Sequence, residues 1–308
     1  MHPRALIEAY RRGDNITALL KEASDTSTNS EEIIETAYDL QTGSYRRALD
    51  DPRMREHKTS YGRAIADEIL ALTAPTSVLE PGVGEGTTLS FVLEALGPDR
   101  PRAHGFDISW SRIACCRDWL RSRDQASTFL AVASLFHVPY GDNSFDVVYT
   151  SHTIEPNGGQ EVPILQELYR VASRYLILLE PGYELAPPDA QRRMVQHGYC
   201  RGLVNHASAL GMDVVKHELF RHAANPLNPT AITVIAKHAG AAPATPALRC
   251  PRFGDPLVDH GDSLFSVGSL RAYPKLLGIP CLRPRDGIIA SAYETYLDGE
   301  PRRAADPA

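Results

Sequence analysis

The sequence predicts an α/β fold in which a mostly parallel, seven-stranded sheet carries helices on both faces. Two observations predict it. Short apolar runs of β type alternate with helical patterns from residue 61 onward, and the last two apolar runs have no helix between them. Alternation is typical of parallel strands joined by crossover helices, whereas adjacent runs are typical of antiparallel neighbours. The last strand is therefore expected to run antiparallel to the others.

The elements of this fold follow from the spacing of apolar residues. Strands are predicted at Ser77–Glu80, Ala103–Asp107, Thr128–Val132, Phe145–Thr150, Tyr175–Glu180, Asp213–Leu219 and Ala231–Lys237. Helices are predicted at Thr88–Leu96, Ile113–Arg121, Val162–Tyr169 and Arg193–Leu210.

Further helical patterns precede the first strand. Apolar residues recur at three- and four-residue spacing over 5–20 and over 31–40, and Ser30 before two glutamates is typical of a helix start. We therefore expect residues 1–59 to form a helical region and residues 60–238 to form the main domain. Alanine, glycine and proline over 239–247 predict a linker, which is followed by a compact segment (248–296) and a tail (297–308).

Composition excludes several classes of protein. A net charge of −6, with 32 scattered basic residues, disfavours a nucleic-acid partner. The chain has neither an apolar stretch long enough for a membrane helix nor a secretory signal at its start, so no membrane partner is expected. Its five cysteines lack C-x-x-C spacing, which predicts reduced thiols in a cytoplasmic protein and no zinc site.

The motif that carries chemistry is Glu80-Pro81-Gly82-Val83-Gly84-Glu85-Gly86, directly after the first predicted strand. Open α/β sheets bind ligands at such a point, and the glycines allow a sharp turn and a close backbone approach. The third glycine comes one residue too early for a dinucleotide fingerprint. Glu80 would repel phosphate but attract a cation, and Asp107 closes the next strand where an acid binds ribose.

This loop resembles the first motif of the class I S-adenosylmethionine-dependent methyltransferases. Three later stretches are similar to further motifs of that family, in the same order: Gly105–Ser109, Leu135–Val148 and Leu178–Gly182. The middle one is similar to the small-molecule subgroup related to ubiquinone and sterol enzymes. The resemblance implies a Rossmann-like catalytic domain over 60–238, with S-adenosylmethionine as cofactor.

The resemblance also implies the cofactor-binding residues. They are Glu80, Gly82, Gly84, Gly86, Asp107, Ile108, Ser134, Leu135 and Thr150. One position departs from the family pattern, which has an acid that accepts a hydrogen bond from the adenine amino group. Here the corresponding pair is Ala133-Ser134, so a serine hydroxyl would have to make that contact.

Three residues at the ends of the fourth and fifth strands are catalytic candidates, because the reacting methyl group is expected there. His152 titrates near neutrality and suits a general base, while Glu155 and Glu180 are alternatives for that role or for holding a cationic amine. A structural role for His152 and a capping role for Glu155 remain open.

Four residues are candidates for binding substrate: Tyr38, Tyr45, Asn157 and Tyr183. In the family that the sequence resembles, N-terminal helices fold over the cleft as a lid, and closure excludes water. Residues 1–59 are therefore expected to form such a lid, which would bring Tyr38 and Tyr45 to the pocket. Asn225 and Asn228 are expected near its rim.

The segment 248–296 resembles a Trm112-like zinc ribbon. Its four metal positions hold Cys250, Phe253, Ser266 and Ser269, and one thiol with two hydroxyls does not make a tetrahedral zinc site. We expect a degenerate, metal-free domain whose centre is filled by Phe253. Shielding of the catalytic domain, dimer contacts and substrate contacts all stay open as its use.

Together these features predict a methyltransferase that acts on an N or O nucleophile of a small molecule, such as a specialised metabolite, a sugar or an amine. A homodimer is expected. Two alternatives remain: a nicotinamide-dependent oxidoreductase, and a non-catalytic methyltransferase-like partner that binds or activates another enzyme. The intact glycine motif argues against the second, since a scaffold has no need of Glu80 or Asp107.

Overall fold

The computed structural model describes residues 3–26, 28–98, 100–222, 225–237 and 245–297. Its helices are α1 (Pro3–Arg12), α2 (Ile16–Ala23), α3 (Glu31–Leu40), α4 (Ser44–Ala48), α5 (Pro52–Leu72), α6 (Thr87–Ala95), α7 (Trp110–Arg121), α8 (Glu161–Val171), α9 (Pro188–His197), α10 (Leu203–Ala209) and α11 (Tyr293–Leu297). Its strands are β1 (Ser77–Pro81), β2 (Arg102–Asp107), β3 (Phe129–Val132), β4 (Phe145–Ser151), β5 (Ala172–Pro181), β6 (Asp213–Leu219), β7 (Thr230–Ala236), β8 (Val258–Asp259), β9 (Ser263–Ser266), β10 (Arg271–Leu276), β11 (Ile279–Pro280) and β12 (Ile288–Ile289).

The centre of the molecule is a seven-stranded sheet with the order β3-β2-β1-β4-β5-β7-β6. Strand β7 pairs antiparallel with both β5 and β6, while the pairs from β3 to β5 are parallel. The predicted mixed sheet with an antiparallel last strand is confirmed. The order reverses direction between β1 and β4, and the helices that follow these strands, α6 and α8, pack on opposite faces of the sheet. Open α/β sheets have a ligand-binding crevice at such a point.

Apolar side chains cover both faces of this sheet, as predicted. One cluster packs α5, α6 and α7 against it through residues such as Ile65, Leu89 and Ile113. A second cluster packs α8 and α10 against the other face, through Ile164 and Leu203 among others. Strands β1 and β7 are buried along their whole length because both of their faces are covered.

Two predicted helical stretches are broken by glycines with positive φ. The single helix expected over 193–210 is wrong, because Gly198 (φ +70°) ends α9 and Gly202 (φ +66°) precedes α10. Gly13 (φ +87°) likewise divides the pattern over 5–20 into α1 and α2. Glycine adopts this left-handed conformation without a steric penalty and so ends helices.

Helix α5 crosses the predicted boundary between residues 59 and 60 without interruption. Its second half, with Tyr61, Ile65 and Ile69, is buried against the sheet, while its first half carries the chain toward the crevice. The N-terminal region and the main domain are therefore joined by a continuous helix. The division into domains otherwise stays a prediction.

The C-terminal segment forms a small second sheet with the order β11-β10-β9-β8, and β12 pairs with β10. It is joined to the main sheet beside β3, where the amide of Leu282 donates to the carbonyl of Val132 (2.7 Å). The amide of Arg249 also donates to the carbonyl of Pro139 (3.0 Å). Residues 238–244, which include positions 239–244 of the predicted linker, and the tail beyond Leu297 lie outside the described residues.

The expectation that Phe253 fills the centre of this segment is wrong, since its side chain is 60% exposed and lies beside Arg252 and Arg271. The thiol of Cys250 instead lies 3.2 Å from the hydroxyl of Tyr273 and 3.4 Å from that of Ser269. These bonds lower the pKa of Cys250, although burial works to raise it. The buried ring of Tyr273 therefore fills the centre of the C-terminal segment, where its hydroxyl is hydrogen-bonded to Cys250.

None of the described helices combines the length and the apolar character that crossing a membrane requires. In the described part of the chain, no group of three or more His, Cys, Asp or Glu side chains is placed to hold a metal ion.

Candidate cofactor and substrate site

The glycine loop joins β1 to α6 through three residues with positive φ. Gly82 (φ +63°), Gly84 (φ +54°) and Gly86 (φ +73°) adopt the left-handed conformation that glycine favours. A Cβ atom at Gly82 would lie 2.2 Å from the Thr153 side chain, and one at Gly86 would lie 2.5 Å from the sulfur of Cys116. The loop therefore depends on glycine for both its conformation and its close packing.

Glu80 ends β1 beneath this loop and is almost completely buried. Among the described residues it accepts a single hydrogen bond, from the hydroxyl of Tyr149 (2.7 Å). Burial raises the pKa of Glu80 to about 8, against smaller opposing effects of Tyr149 and of the Lys58 ammonium. A buried carboxylate with so few partners is suited to bind a cation.

Lys58, on α5, lies on the same wall of the cavity as Glu80. It donates a long hydrogen bond (3.4 Å) to the hydroxyl of Thr88. Burial lowers the pKa of Lys58, although Glu80 partly offsets this. The pair thus places an amino group and a carboxyl group beside the glycine loop, and these two groups are complementary to the amino-acid end of a nucleoside cofactor.

Asp107 ends β2 and ties it to the glycine loop. One of its oxygens accepts from the amide of Gly84 (3.0 Å) and the other from the amide of Ser109 (2.9 Å). Burial raises the pKa of Asp107, and the Arg112 guanidinium acts in the opposite direction. The carboxylate lines the first cavity, where ribose hydroxyls can reach its remaining lone pairs.

Glu180 ends β5 and holds the loop that follows β4. Its carboxylate accepts from the backbone amides of Thr153 (3.0 Å), Ile154 (3.1 Å) and Glu155 (3.0 Å). Burial raises the pKa of Glu180, and the neighbouring His152 and the bound amides oppose that rise. Because its oxygens are taken up by the backbone, Glu180 positions the loop rather than facing a substrate.

His152 and Glu155 form a buried pair on this loop. The Nδ1 of His152 is hydrogen-bonded to Glu155, and its Nε2 lies 2.8 Å from the hydroxyl of Thr230. Burial works to lower the pKa of His152, but the bond to Glu155 raises it overall. Burial likewise works to raise the pKa of Glu155, and the bond to His152 lowers it overall.

The two opposite pKa shifts favour the charged form of the pair, in which an imidazolium faces a carboxylate. Both nitrogens of His152 have protein partners, so the ring lacks the free nitrogen that a general base needs. His152 also has φ +54°, a strained conformation for a residue with a side chain, and Glu180 fixes the loop that imposes it.

The N-terminal region lines one side of the crevice, and its role as a lid stays a prediction. The carboxylate of Glu85, in the glycine loop, accepts from the amides of Gly43 (2.9 Å) and Arg46 (2.8 Å). The guanidinium of Arg112 lies 5.0 Å from the ring centre of Tyr38 and 4.6 Å from that of Tyr45. Burial raises the pKa of Tyr38, which therefore keeps its hydroxyl proton.

Two adjoining cavities lie beside the N-terminal region. Both are lined by Tyr38, Gly82, Arg112 and His152. The first runs past Asp107 to an apolar end, and the second extends beside Glu80 toward Glu155 and Asn228. Of the predicted site residues, those that line one or both cavities are Tyr38, Tyr45, Glu80, Gly82, Gly84, Asp107, Ile108, Leu135, His152, Glu155 and Asn157.

The remaining predicted residues lie beside the cavities. Gly86 shapes the loop, Thr150 is buried within β4, and Ser134 is buried next to the lining residues Ala133 and Leu135. Tyr183 lies outside, with the Arg201 guanidinium 5.6 Å from its ring centre. Asn225 is in the loop before β7 and does not line either cavity.

Sequence reasoning missed four charged lining residues: Glu31, Lys58, Glu85 and Arg112. They come from α3, α5, the glycine loop and α7, and they meet only in the folded chain. Of these four, Glu85 alone lies within the glycine motif, so its carboxylate between Gly84 and Gly86 was the one sequence signal that could have indicated a lining residue.

The site fits S-adenosylmethionine, the cofactor that the sequence resemblance implies. It combines the glycine loop, a buried Glu80 with one hydrogen-bond partner among the described residues, and Asp107 on the cavity surface. Glu80 and Lys58 would hold its amino-acid end, the glycine backbone would lie along it, and Asp107 would bind its ribose. The apolar end of the first cavity would hold its base.

Comparisons with known proteins agree with this fit. Residues 78–174 match the family model described as a methyltransferase domain. No curated protein sequence matches the chain significantly.

Solved structures with the same fold are distantly related in sequence. Magnesium protoporphyrin IX methyltransferase from Synechocystis PCC 6803, with bound S-adenosylhomocysteine (SAH), has a TM-score of 0.53 and 13% identity, and the match covers 68% of this chain and 100% of that chain. The same enzyme with bound S-adenosylmethionine (SAM) has a TM-score of 0.52 and 15% identity, over 68% and 98% of the two chains. The (4+2)-cyclase SpnF has a TM-score of 0.54 and 15% identity, over 69% and 98%.

Binding of SAH is expected to depend on the ionisation of Glu80. Since burial raises its pKa to about 8, the carboxyl is mostly protonated at neutral pH and must release its proton to bind the cofactor's ammonium group. Calorimetry in buffers of different ionisation enthalpy should therefore show proton release, and the affinity should increase as the pH rises toward 8. Glu80→Gln should bind SAH without this proton release. An affinity and proton count that do not vary with pH in the wild type would contradict the assignment.

Replacement of Glu180 by glutamine should destabilise the fold. An amide has one oxygen and a donor group in place of the second, so at least one buried loop amide loses its partner. The free energy of unfolding should fall by about 1–3 kcal/mol, measured by denaturant titration. Asp189→Asn, at an exposed surface pair, is the matched control and should leave stability nearly unchanged. A full loss of activity at unchanged stability would instead assign Glu180 to catalysis.

Proposed function

We propose that the chain, whose residues 78–174 match a methyltransferase domain, transfers the methyl group of S-adenosylmethionine to an N or O nucleophile of a small molecule. The observation that carries the proposal is the second cavity, which adjoins the glycine loop and lies beneath the lid. Its lining is polar and aromatic, and it includes Tyr38, Tyr45, Ser151, Glu155 and Asn228. A specialised metabolite, a sugar or an amine suits a cavity of this kind.

The enclosure of this cavity supports a small substrate rather than a macromolecule. Glu85 holds the lid at the backbone of Gly43 and Arg46, so a nucleophile has to enter a pocket instead of lying on an open surface. Closed sites of this kind exclude water, which strengthens electrostatic contacts inside them. The net charge of −6 also disfavours nucleic-acid substrates.

The bound cofactor supplies an electrophilic methyl group on a sulfonium. The protein's own task is then to hold the nucleophile in line with it, because alignment alone lowers such barriers substantially. Glu155 is suited to this task, since its carboxylate is kept ionised by His152 and lies beside the amide group of Asn228 (3.3 Å). It can accept a hydrogen bond from an attacking hydroxyl or amine, and the Tyr38 hydroxyl can donate to the same substrate.

His152 acts in this proposal through Glu155, as the cation that orients and balances the carboxylate. This replaces the general-base role expected from sequence, because Thr230 and Glu155 occupy both ring nitrogens.

The finer assignments remain part of the proposal. The small-molecule subgroup related to ubiquinone and sterol enzymes is supported by the Leu135–Val148 segment, and a cytoplasmic location is supported by five free cysteines. A degenerate Trm112-like origin of the C-terminal segment is supported by the proximity of Cys250 and Ser269. The homodimer and the absence of a nucleic-acid partner stay predictions.

Labelled cofactor identifies the reaction most directly. The protein is incubated with methyl-labelled SAM and a cell extract divided by ultrafiltration into small-molecule and macromolecular fractions, and the products are analysed by mass spectrometry. Label in a small molecule at nitrogen or oxygen is the expected result. Label confined to protein or RNA would contradict the substrate class, and a modified small molecule without label would indicate another reaction, such as the cyclisation for which SpnF is named.

Glu155→Gln should lower the turnover of the identified substrate by about 10²-fold, because the variant loses the charge that orients the nucleophile. SAH affinity should change little, since Glu155 bonds to His152 and Asn228 and not to Glu80, Lys58 or Asp107, which are assigned to the cofactor. Asp118→Asn, on the exposed side of α7, is the control and should retain wild-type turnover. Wild-type turnover by Glu155→Gln would refute the placement of the nucleophile.

A further inference from the structure

Part of the first cavity is an apolar slot. Ile34 of the lid, Ile108, Leu135 and Phe136 line it, and Ile108 directly follows Asp107 in the sequence. Apolar walls on several sides suit the flat face of a nucleobase, and the ribose-facing carboxylate sets the direction in which that base would extend.

A charged group, Glu31, lines the same cavity beside this slot, next to Ser134 and Leu135. It is the first residue of α3, and one of its oxygens accepts a hydrogen bond from the hydroxyl of Ser134. The oxygen of that hydroxyl accepts a hydrogen bond from the amide of Phe136 (3.0 Å). The only proton of the Ser134 hydroxyl is donated to Glu31. The second oxygen of Glu31 has no hydrogen-bond partner within the ranges that the structure describes.

Glu31 belongs to a row of carboxylates on one face of α3. Glu31, Glu35 and Asp39 are four residues apart and therefore lie above one another on the helix. Asp39 accepts from the hydroxyls of Ser109 (2.6 Å) and Ser111 (3.0 Å), and Glu35 pairs with Arg283 and Arg285 of the C-terminal segment. These two carboxylates dock the helix, whereas Glu31 alone keeps a free oxygen and lines the cavity.

Resting on the cofactor assignment above, we propose that Glu31 binds the exocyclic amino group of the cofactor's adenine. The amino group donates to the free oxygen of Glu31, while Ser134 fixes the other oxygen. The base is thus recognised by the lid and not by the sheet, where Ser134 occupies the position at which the sequence pattern leads one to expect an acid. Cofactor binding then adds one more contact to a helix that Asp39 and Glu35 already dock.

The C-terminal segment has a part in this arrangement. Besides its contact with Glu35, the guanidinium of Arg283 donates to the carbonyl of Ile108 (3.3 Å) and is held by Asp286 (2.8 Å). It therefore connects α3 to the loop after β2 that forms one wall of the slot. Arg283 is a positioning residue for Glu31, acting through the helix.

The test compares two ligands by calorimetry: SAH, and its analogue with a purine base that lacks the 6-amino group. Wild-type protein should bind SAH at least about 10-fold more tightly, as a hydrogen bond to a charged group implies. Glu31→Ala should lose this preference while keeping its affinity for the deamino analogue. Adding Ser134→Asp to Glu31→Ala should restore the preference for SAH, because it returns an acceptor to the base end of the slot.

Glu32→Ala is the matched control, because Glu32 is the exposed neighbour in the same first turn and has the same effect on the helix dipole. It should keep the wild-type preference for SAH. Full preference in Glu31→Ala would overturn the proposal, and so would an equal loss of affinity for both ligands, which indicates a structural role for Glu31. Wild-type protein that binds neither ligand would overturn the cofactor assignment together with this proposal. Wild-type protein that binds SAH with the expected preference but transfers no methyl group would contradict the proposed reaction and leave the role of Glu31 unchanged.

Discussion

The arrangement of this molecule depends on how buried carboxylates at the ends of three strands are satisfied. Glu80, Asp107 and Glu180 end β1, β2 and β5, and each is nearly inaccessible to solvent. A buried carboxylate is costly unless hydrogen bonds compensate for the lost water. Glu180 receives three backbone amides and Asp107 two, whereas Glu80 has only the Tyr149 hydroxyl among the described residues. Glu180 and Asp107 therefore hold the backbone of the site in place, and Glu80 keeps oxygen lone pairs with which it can bind a cation.

Carboxylates also fasten the lid to the domain beneath it. Glu85 holds the start of α4, and Asp39 and Glu35 dock α3 onto α7 and the C-terminal segment. This gives the C-terminal segment a use that does not require metal: it presents Arg283 to the lid from the far side of the cavity. Closure of the site is thus distributed over three regions of the chain that are distant in sequence.

The strands and the glycine loop could be predicted from sequence because their signals are local. All seven strands of the main sheet lie within a few residues of the predicted ones, the largest difference being the start of β5 at Ala172 instead of Tyr175. Residues that act through long-range contacts could not be assigned in this way. Nothing near Glu180 in the sequence indicates that its oxygens hold the amides of residues 153–155, and nothing near Glu31 indicates that it meets Ser134. Phe253 was misplaced for the same reason, since Tyr273 reaches Cys250 from 23 residues away.

The ionisation of Glu80 tests the central claim most directly. Carboxyl carbons of the ¹³C-labelled protein can be followed by NMR during a pH titration, with Glu80→Gln used to assign the signal. In the free protein the Glu80 signal should titrate near pH 8, far above the ordinary value of 4.5, and saturating SAH should move its midpoint downward. A midpoint in the ordinary range, or one that SAH does not shift, would contradict the claim that this buried carboxylate awaits the cation of the cofactor.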